Sequence, residues 1–272
     1  MNRRIETPLA GAEPTLAAML RVAATAALEA GAVIRSLYDQ PHQVRFKGEI
    51  DLVTEADLAS EKAIIAALQS EFPSVPILAE ESSPDYSHIP SGPVWIIDPL
   101  DGTTNFAHGF PFFAVSIAYS VERVSLAGVI YCPMQDELFL AWRAGGAWLN
   151  GRRLAVSRRE RLLESLVGTG FPYAIRENLD DVLAKLGKVL PQVRDIRRAG
   201  AAAVDLAYVA CGRLDGFWER ELKPWDTAAG YLLVEEAGGR VSDCGGGGWN
   251  PYRREVLASN GLLHGKLVEL LG

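Results

Sequence analysis

The segment from Leu16 to Leu37 is almost wholly apolar, but Arg21, Glu29 and Arg35 interrupt it every two turns or so. Charges at that spacing are too costly in hydrocarbon, so the pattern predicts an amphipathic first helix covering a core, not a membrane span. No basic start and small-residue cleavage site bracket it, and a secretory leader is not expected. A second helical pattern runs from Thr54 to about Phe72, with Ala56, Ala59, Ala63, Ala67 and the Ile64/Leu68 pair at three- and four-residue spacing, until Pro73 and Pro76 close it. Short apolar runs then alternate with polar turns: "VPIL", "VWII", "FFAVSIAYSV", "LAGVIYCP" and "ELFLAWR". Their β-branched content and Gly-rich breaks predict strands, several joined as hairpins.

The character changes between Leu154 and Ser165, through the basic "SRRER". Beyond it, "SLVGTGF" and "LDGFWE" predict strands, Leu179–Leu190, Ala201–Cys211 and Trp225–Ala237 helices, and "RVSD" and "VLASN" short strands. With no repeat and no long linker, two subdomains sharing one interface are expected, 1–155 and 156–272. The fold class is α/β with an α+β first half.

Composition narrows the function. With 272 residues and 49% hydrophobic content the chain can bury a large core, so disorder is excluded. A net charge of −7 gives no overall field that attracts a phosphate backbone, which makes nucleic acid an improbable partner. Cys132, Cys211 and Cys244 cannot all pair with one another and show no C-x-x-C spacing, which favours a reducing, cytoplasmic location.

Candidate chemistry begins at "WIIDPLDGTTNF", where an apolar run ends in Asp98 and Asp101 before Gly102, Thr103 and Thr104. One Asp before a helix is explained as a cap. Two so close raise each other's pKa and cost stability unless a cation neutralises them, and hard oxygen ligands suit Mg²⁺. In "ILAEES" another apolar run ends in Glu80 and Glu81. Acids at strand ends are usually solvated, but a parallel pairing with Trp95–Ile97 would bring Glu80 beside Asp98 at one sheet edge. In "DLVTEAD", Thr54 and Asp57 match a capping box, and a metal-site role for Asp57 stays equally open. Asp226, in "PWDTAAG", reads by itself as an N-cap.

Other chemistries fit less well. His42, His88, His108 and His264 lack metal-ligand spacing, no G-x-S-x-G occurs, and Gly245–Gly248 lacks the helix and Lys-Ser/Thr of a phosphate loop, which leaves it a flexible turn. What remains is water activated by metal.

"DPLDGTTNF" and "PWDTAAGYLLVEEAGG", with "EIDLVTEAD" and "AEES" before them in order, resemble the inositol monophosphatase family of Mg²⁺-dependent, lithium-sensitive phosphatases. The resemblance extends from about Leu16 to the C-terminus. It implies a layered αβαβα sandwich, a homodimer, and a site between the two halves that takes a small phosphate monoester. By position, it implies that Glu80, Asp98 and the carbonyl of Leu100 hold one Mg²⁺, and that Asp98, Asp101 and Asp226 hold a second. Asp57 and Glu80 would place a weaker third ion through water. Thr103, hydrogen-bonded to Glu80, would orient the attacking water; Gly102, Thr103 and Thr104 would receive the phosphate, and Glu219 the substrate hydroxyls. Ala201 departs from the pattern, standing where many relatives carry Ser or Thr, which bears on a preference for inositol 1-phosphate over other small esters such as histidinol phosphate. Some bacterial relatives also bind transcription or ribosome-assembly machinery, so a regulatory protein that keeps the metal site is the alternative.

Overall fold

The computed structural model describes residues 2–40, 45–46, 52–83 and 92–272. The elements run α1 (Arg3–Leu9), α2 (Pro14–Leu37), β1 (Arg45–Phe46), β2 (Leu52–Val53), α3 (Glu55–Glu71), β3 (Ile77–Ala79), β4 (Val94–Asp101) and α4 (Thr103–Ala107). Five strands follow: β5 (Ala114–Val121), β6 (Val124–Cys132), β7 (Glu137–Trp142), β8 (Gly146–Leu149) and β9 (Arg152–Arg153). The second half holds β10 (Leu166–Thr169), α5 (Ile175–Val189), β11 (Asp195–Arg197), α6 (Ala202–Ala210), β12 (Gly216–Arg220), α7 (Pro224–Thr227), α8 (Gly230–Glu236), β13 (Arg240–Ser242), β14 (Glu255–Ser259) and α9 (His264–Leu271).

One sheet runs in the order β3-β4-β5-β6-β7-β8-β9 and another in the order β11-β10-β12-β14-β13. Alternation along the strands sends side chains to two different cores, because successive residues point to opposite faces. Trp95 and Ile97 join Val115, Ile117, Val129 and Tyr131 in the core beneath α2 and α3. Val94 and Ile96 join Ala118, Ile130 and Phe139 in a second core, filled from the other side by α6, α8 and Phe217, Val256 and Ala258 of the second sheet. A third core lies between that sheet's far face and α9, with Val189 of α5. The layers are therefore helix, sheet, helix, sheet, helix: the αβαβα sandwich.

By length and composition α2 could cross a membrane, but half of its apolar window is buried inside the protein. Leu20, Ala24, Ala27, Ala30 and Ile34 are fully covered, as expected of a core helix. Two expectations change. The helix expected over Trp225–Ala237 is two helices, α7 and α8, and Gly230 at the start of α8 lies so close to α6 that a Cβ there would meet Leu206 at 2.6 Å. Asp226 is the third residue of α7, not its N-cap; its carboxylate accepts the Lys223 N–H at 2.6 Å. "EIDLV" lies mostly outside the described residues, as do His42 and His88.

The second sheet is tied to α9 by a buried histidine. Ser242 Oγ lies 2.9 Å from His264 Nε2 and donates to the Asp243 carbonyl, so it accepts from Nε2–H. Ser259 Oγ, 2.9 Å from Nδ1, accepts the Gly261 N–H and turns its own proton to the ring. Both ring nitrogens are satisfied in the neutral form, and burial with nearby Arg240 pushes the pKa down to about 4. The unfolded chain binds this proton near pH 6.5, so the stabilisation is complete above that pH and is lost as pH falls toward 4. Relative to His264→Gln, the wild type is expected to lose about 2 kcal/mol between pH 7.5 and pH 5, measured by urea unfolding. A constant difference would show that the histidine is not held neutral.

Candidate active site

β3 pairs with β4 in parallel, Ala79 opposite Ile97, and the ladder continues with the Glu80 N–H donating to the Ile97 carbonyl at 3.2 Å. Glu80 is therefore delivered beside Asp98, as a parallel pairing requires. Asp98 and Asp101, three apart, would face opposite ways on a regular strand. The register of β4 against β5 shifts between them, Asp98 facing Ser116 and Asp101 facing Ala114, so three steps on β4 match two on β5. That irregularity, with Pro99 unable to donate to the ladder, re-aims the second carboxylate. Leu100 N–H donates to Asp98 Oδ1 at 3.0 Å, and Ser60 Oγ holds the Pro99 carbonyl at 2.7 Å.

Asp226 reaches the same place from α7. The four acids feel one another. Burial, then Glu80, Asp101 and Asp226 push the Asp98 carboxyl well above its usual range. Burial pushes Asp101 up to about 7, with Glu80 adding to the rise and backbone N–H groups of α6 opposing it. The Ala203 N–H donates to Asp101 Oδ2 at 2.8 Å, so Asp101 caps α6, whose own N-cap residue is Ala201 and supplies no side-chain acceptor.

Among the described residues, no three His, Cys, Asp or Glu side chains are already closed around one point as a finished metal cage. The donor set still fits a hard divalent cation: it is all oxygen, with Asp98 and Asp101 buried among like charges that a bound cation would relieve without protonation. Glu80, Asp98, Asp101, Asp226 and the Leu100 carbonyl are the groups that could hold it.

Thr103 is a correction. Its hydroxyl donates to Asp57 Oδ1 at 2.9 Å and lies 3.2 Å from the Leu100 carbonyl; Asp57, not Glu80, is its carboxylate partner. The reason is that the capping box fixes Asp57 first. Its Oδ2 accepts from Thr54 N–H at 2.8 Å and Thr54 Oγ1 at 2.6 Å, which turns Oδ1 toward Thr103. Asp57 caps α3 with one oxygen and holds the Thr103 hydroxyl with the other.

Gly102 has φ +95°, a left-handed conformation suited to glycine, and a Cβ there would press on the Phe112 carbonyl at 3.0 Å. It opens α4, whose first N–H groups lack partners within the helix. A cleft of about 810 Å³ is lined by Glu80, Asp101, Gly102, Thr103, Thr104 and Asp226 together with Phe171, Arg198 and Glu219. The Glu219 carboxylate lies against Gly170, where an added Cβ would sit 1.9 Å from its Cδ. Burial, then Asp205 and Asp226, push its pKa well up, against the pull of Arg198.

Three residues escaped the sequence reading. Asn105 Nδ2 donates to the Phe112 and Ala199 carbonyls at 2.7 and 2.9 Å, tying α4 to the 199–200 turn. Glu61, buried on α3, accepts the Glu81 N–H at 2.9 Å. Asp205, buried on α6, is raised by burial and by Asp101. Only Asn105 carried a signal, as a polar residue inside the "DGTTNF" run.

A layered αβαβα fold with clustered carboxylates beside a helix start defines a class of metal-dependent phosphatases, and the comparisons agree. The chain belongs to the inositol monophosphatase family, whose model matches residues 15–272 and whose members are generally metal-dependent. It is 43% identical to an inositol-1-monophosphatase of Mesorhizobium japonicum over 93% of this chain and 95% of that protein. It is 46% identical to the Nus factor SuhB of Escherichia coli K12, over 89% of this chain and 91% of that one. Among solved structures, the extragenic suppressor protein SuhB of Bartonella henselae superposes with a TM-score of 0.88 at 44% identity, covering 93% and 98% of the two chains. The inositol monophosphatase of Anabaena gives 0.86 at 41%, covering 94% and 96%.

Proposed function

We propose that the cleft hydrolyses a small phosphate monoester, with inositol 1-phosphate the favoured substrate, using Mg²⁺ held by Glu80, Asp98, Asp101, Asp226 and the Leu100 carbonyl. The observation that carries this reading is that Glu80, Asp101 and Asp226 line one cleft together with Gly102 and Thr103 of the α4 start, while the buried Asp98 feels all three acids. Bound Mg²⁺ supplies positive charge that offsets the carboxylates and the phosphate and acidifies water. The protein's own part is orientation. The N–H groups of Gly102, Thr103 and Thr104 receive phosphate oxygens. A water that donates to Thr103 Oγ1 is aligned for attack because that hydroxyl is already committed to Asp57, which can take up the proton passed through it. Glu219 accepts hydrogen bonds from the leaving group's hydroxyls.

The halves 1–155 and 156–272 are proposed as subdomains, the first carrying most of the metal ligands. A homodimer inhibited by lithium belongs to the same proposal and rests on the resemblance alone, and a cytoplasmic location rests on the three free cysteines. Phosphate release from inositol 1-phosphate, histidinol phosphate, fructose 1,6-bisphosphate and 3′-phosphoadenosine 5′-phosphate tests it. The highest kcat/KM is expected for the first, and no release from any would overturn the reading. Relatives named Nus factor SuhB favour a second one, a regulatory binding protein that retains the site. A metal-dead variant that still captures a transcription factor, beside a wild type without turnover, would decide for it.

Glu219 carries its own expectation. Glu219→Gln narrows the preference for inositol 1-phosphate over glycerol 2-phosphate by about 1–3 kcal/mol in transition-state free energy, with the Mg²⁺ requirement unchanged. Gly170→Ala, which displaces the carboxylate, acts in the same direction. An unchanged ratio with a raised Mg²⁺ requirement would place Glu219 in the metal shell instead.

A further inference from the structure

One face of α3 is turned to the site and carries polar groups. Asp57, Ser60 and Glu61 stand at i, i+3 and i+4 on that helix, and all three are buried. Each reaches a different segment. Asp57 Oδ1 accepts from the Thr103 hydroxyl at 2.9 Å, Ser60 Oγ donates to the Pro99 carbonyl at 2.7 Å, and Glu61 Oε2 accepts from the Glu81 N–H at 2.9 Å. Those segments carry Thr103, the Asp98 and Asp101 pair, and Glu80. Asp57 has a part in the proposed reaction and Glu61 has none, although a carboxylate buried on the same side as Ala56, Ile64 and Leu68 is costly to keep.

The contact falls where Glu80 needs it. The Glu80 N–H still follows the sheet, donating to the Ile97 carbonyl at 3.2 Å. One peptide later the chain has left β3 and turns, the Ser83 N–H donating to the Ala79 carbonyl at 3.0 Å and the Ala79 N–H to Ser83 Oγ at 3.1 Å. The peptide between Glu80 and Glu81 is oriented by Glu61, and a charge-assisted bond of this kind is about twice as strong as a neutral one. With the peptide planes on both sides of Glu80 held, the direction of its Cα–Cβ bond is set. The hold acts against repulsion, because Glu80 and Asp98 push on each other as like charges.

We propose that Glu61 is a positioning residue of the cation site: its hold on the Glu81 N–H aims the Glu80 carboxylate at the cation shared with Asp98, and Glu61 itself is not a ligand. The inference rests on the phosphatase reading and adds to it a residue that acts through Glu80 alone.

The test compares the wild type with Glu61→Gln, which keeps an oxygen for the Glu81 N–H, and Glu61→Met, which keeps the volume and loses the acceptor. Mg²⁺ is titrated into chelator-stripped protein by calorimetry. Its Kd is expected to rise about tenfold in Glu61→Met and less than about threefold in Glu61→Gln. The Mg²⁺ concentration for half-maximal phosphate release moves with it, while KM for the ester at saturating Mg²⁺ is unchanged. An equal rise in both variants makes Glu61 an anionic ligand and overturns the proposal. An unchanged Kd in Glu61→Met, at whatever melting temperature, leaves Glu61 a packing residue and overturns it too. Should Glu61→Met not fold, Glu61→Asp, which draws the acceptor back by one methylene, takes its place with the same expectation. If the wild type neither binds Mg²⁺ nor releases phosphate, the phosphatase reading fails, and amide hydrogen exchange at Glu81 decides. Exchange faster than in the wild type for Glu61→Met but not for Glu61→Gln supports the hold on Glu80. Equal exchange in wild type and variants refutes it.

Discussion

Asp98→Asn is expected to lower kcat/KM on the order of a thousandfold or more while raising the melting temperature of the metal-free protein by about 3 °C or more. The activity loss follows because the residue sits between Glu80, Asp101 and Asp226, where an amide can no longer help hold a cation. The stability gain follows from the same geometry. Asn keeps the acceptor for the Leu100 N–H and removes one charge from a buried cluster of like charges. The pH window has a definite sign. A carboxyl whose folded pKa is raised stabilises below its unfolded pKa near 3.8, and that contribution is lost as pH rises through the folded value, about 7 for Asp101 and higher than usual for Asp98. The advantage of Asp98→Asn in chelator therefore grows from pH 5 to pH 8, as scanning calorimetry would show. An unchanged or lower melting temperature would mean that the cluster is not under electrostatic strain.

The second large effect belongs to Thr103 and Asp57. Thr103→Val removes the hydroxyl that links water to Asp57 and is expected to reduce kcat about a hundredfold with KM little changed. Asp57→Asn should do the same and also weaken the start of α3, where its Oδ2 caps the helix. Because the two act through one hydrogen bond, the double variant should be scarcely slower than the worse single one. Multiplying losses in that cycle would show independent roles. Either single loss should remain smaller than that of Asp98→Asn, which removes part of the cation site itself.

Much of this was legible in the sequence because it is local. Apolar runs ending in acids place Glu80 and Asp98, and a parallel pairing of two such runs is enough to bring them together. The Thr54–Asp57 capping box reads directly from its spacing, as does the glycine that opens α4. What could not be read is long-range. The hydrogen bond between Thr103 and Asp57 spans 46 positions, and the one from Ala203 to Asp101 spans 102. No local pattern shows that Asp101 caps a helix whose own first residue, Ala201, cannot. The short edge strand β11 carries only one apolar residue, Ile196, and was missed for want of a run. The break between α7 and α8 falls at Ala228 and Ala229, whose small apolar side chains carry no helix-stop signal. Glu219 was reached through the resemblance alone, because its place in the cleft depends on the second sheet.

The central claim is that the clustered carboxylates are a cation site on which phosphate hydrolysis depends. Phosphate release from inositol 1-phosphate, measured after stripping with chelator and during titration with Mg²⁺, tests it most directly. The account predicts negligible release in chelator and saturable recovery with Mg²⁺ in the wild type, with no recovery in Asp98→Asn at the same concentrations. Full turnover in excess chelator, or equal recovery in Asp98→Asn, would contradict it.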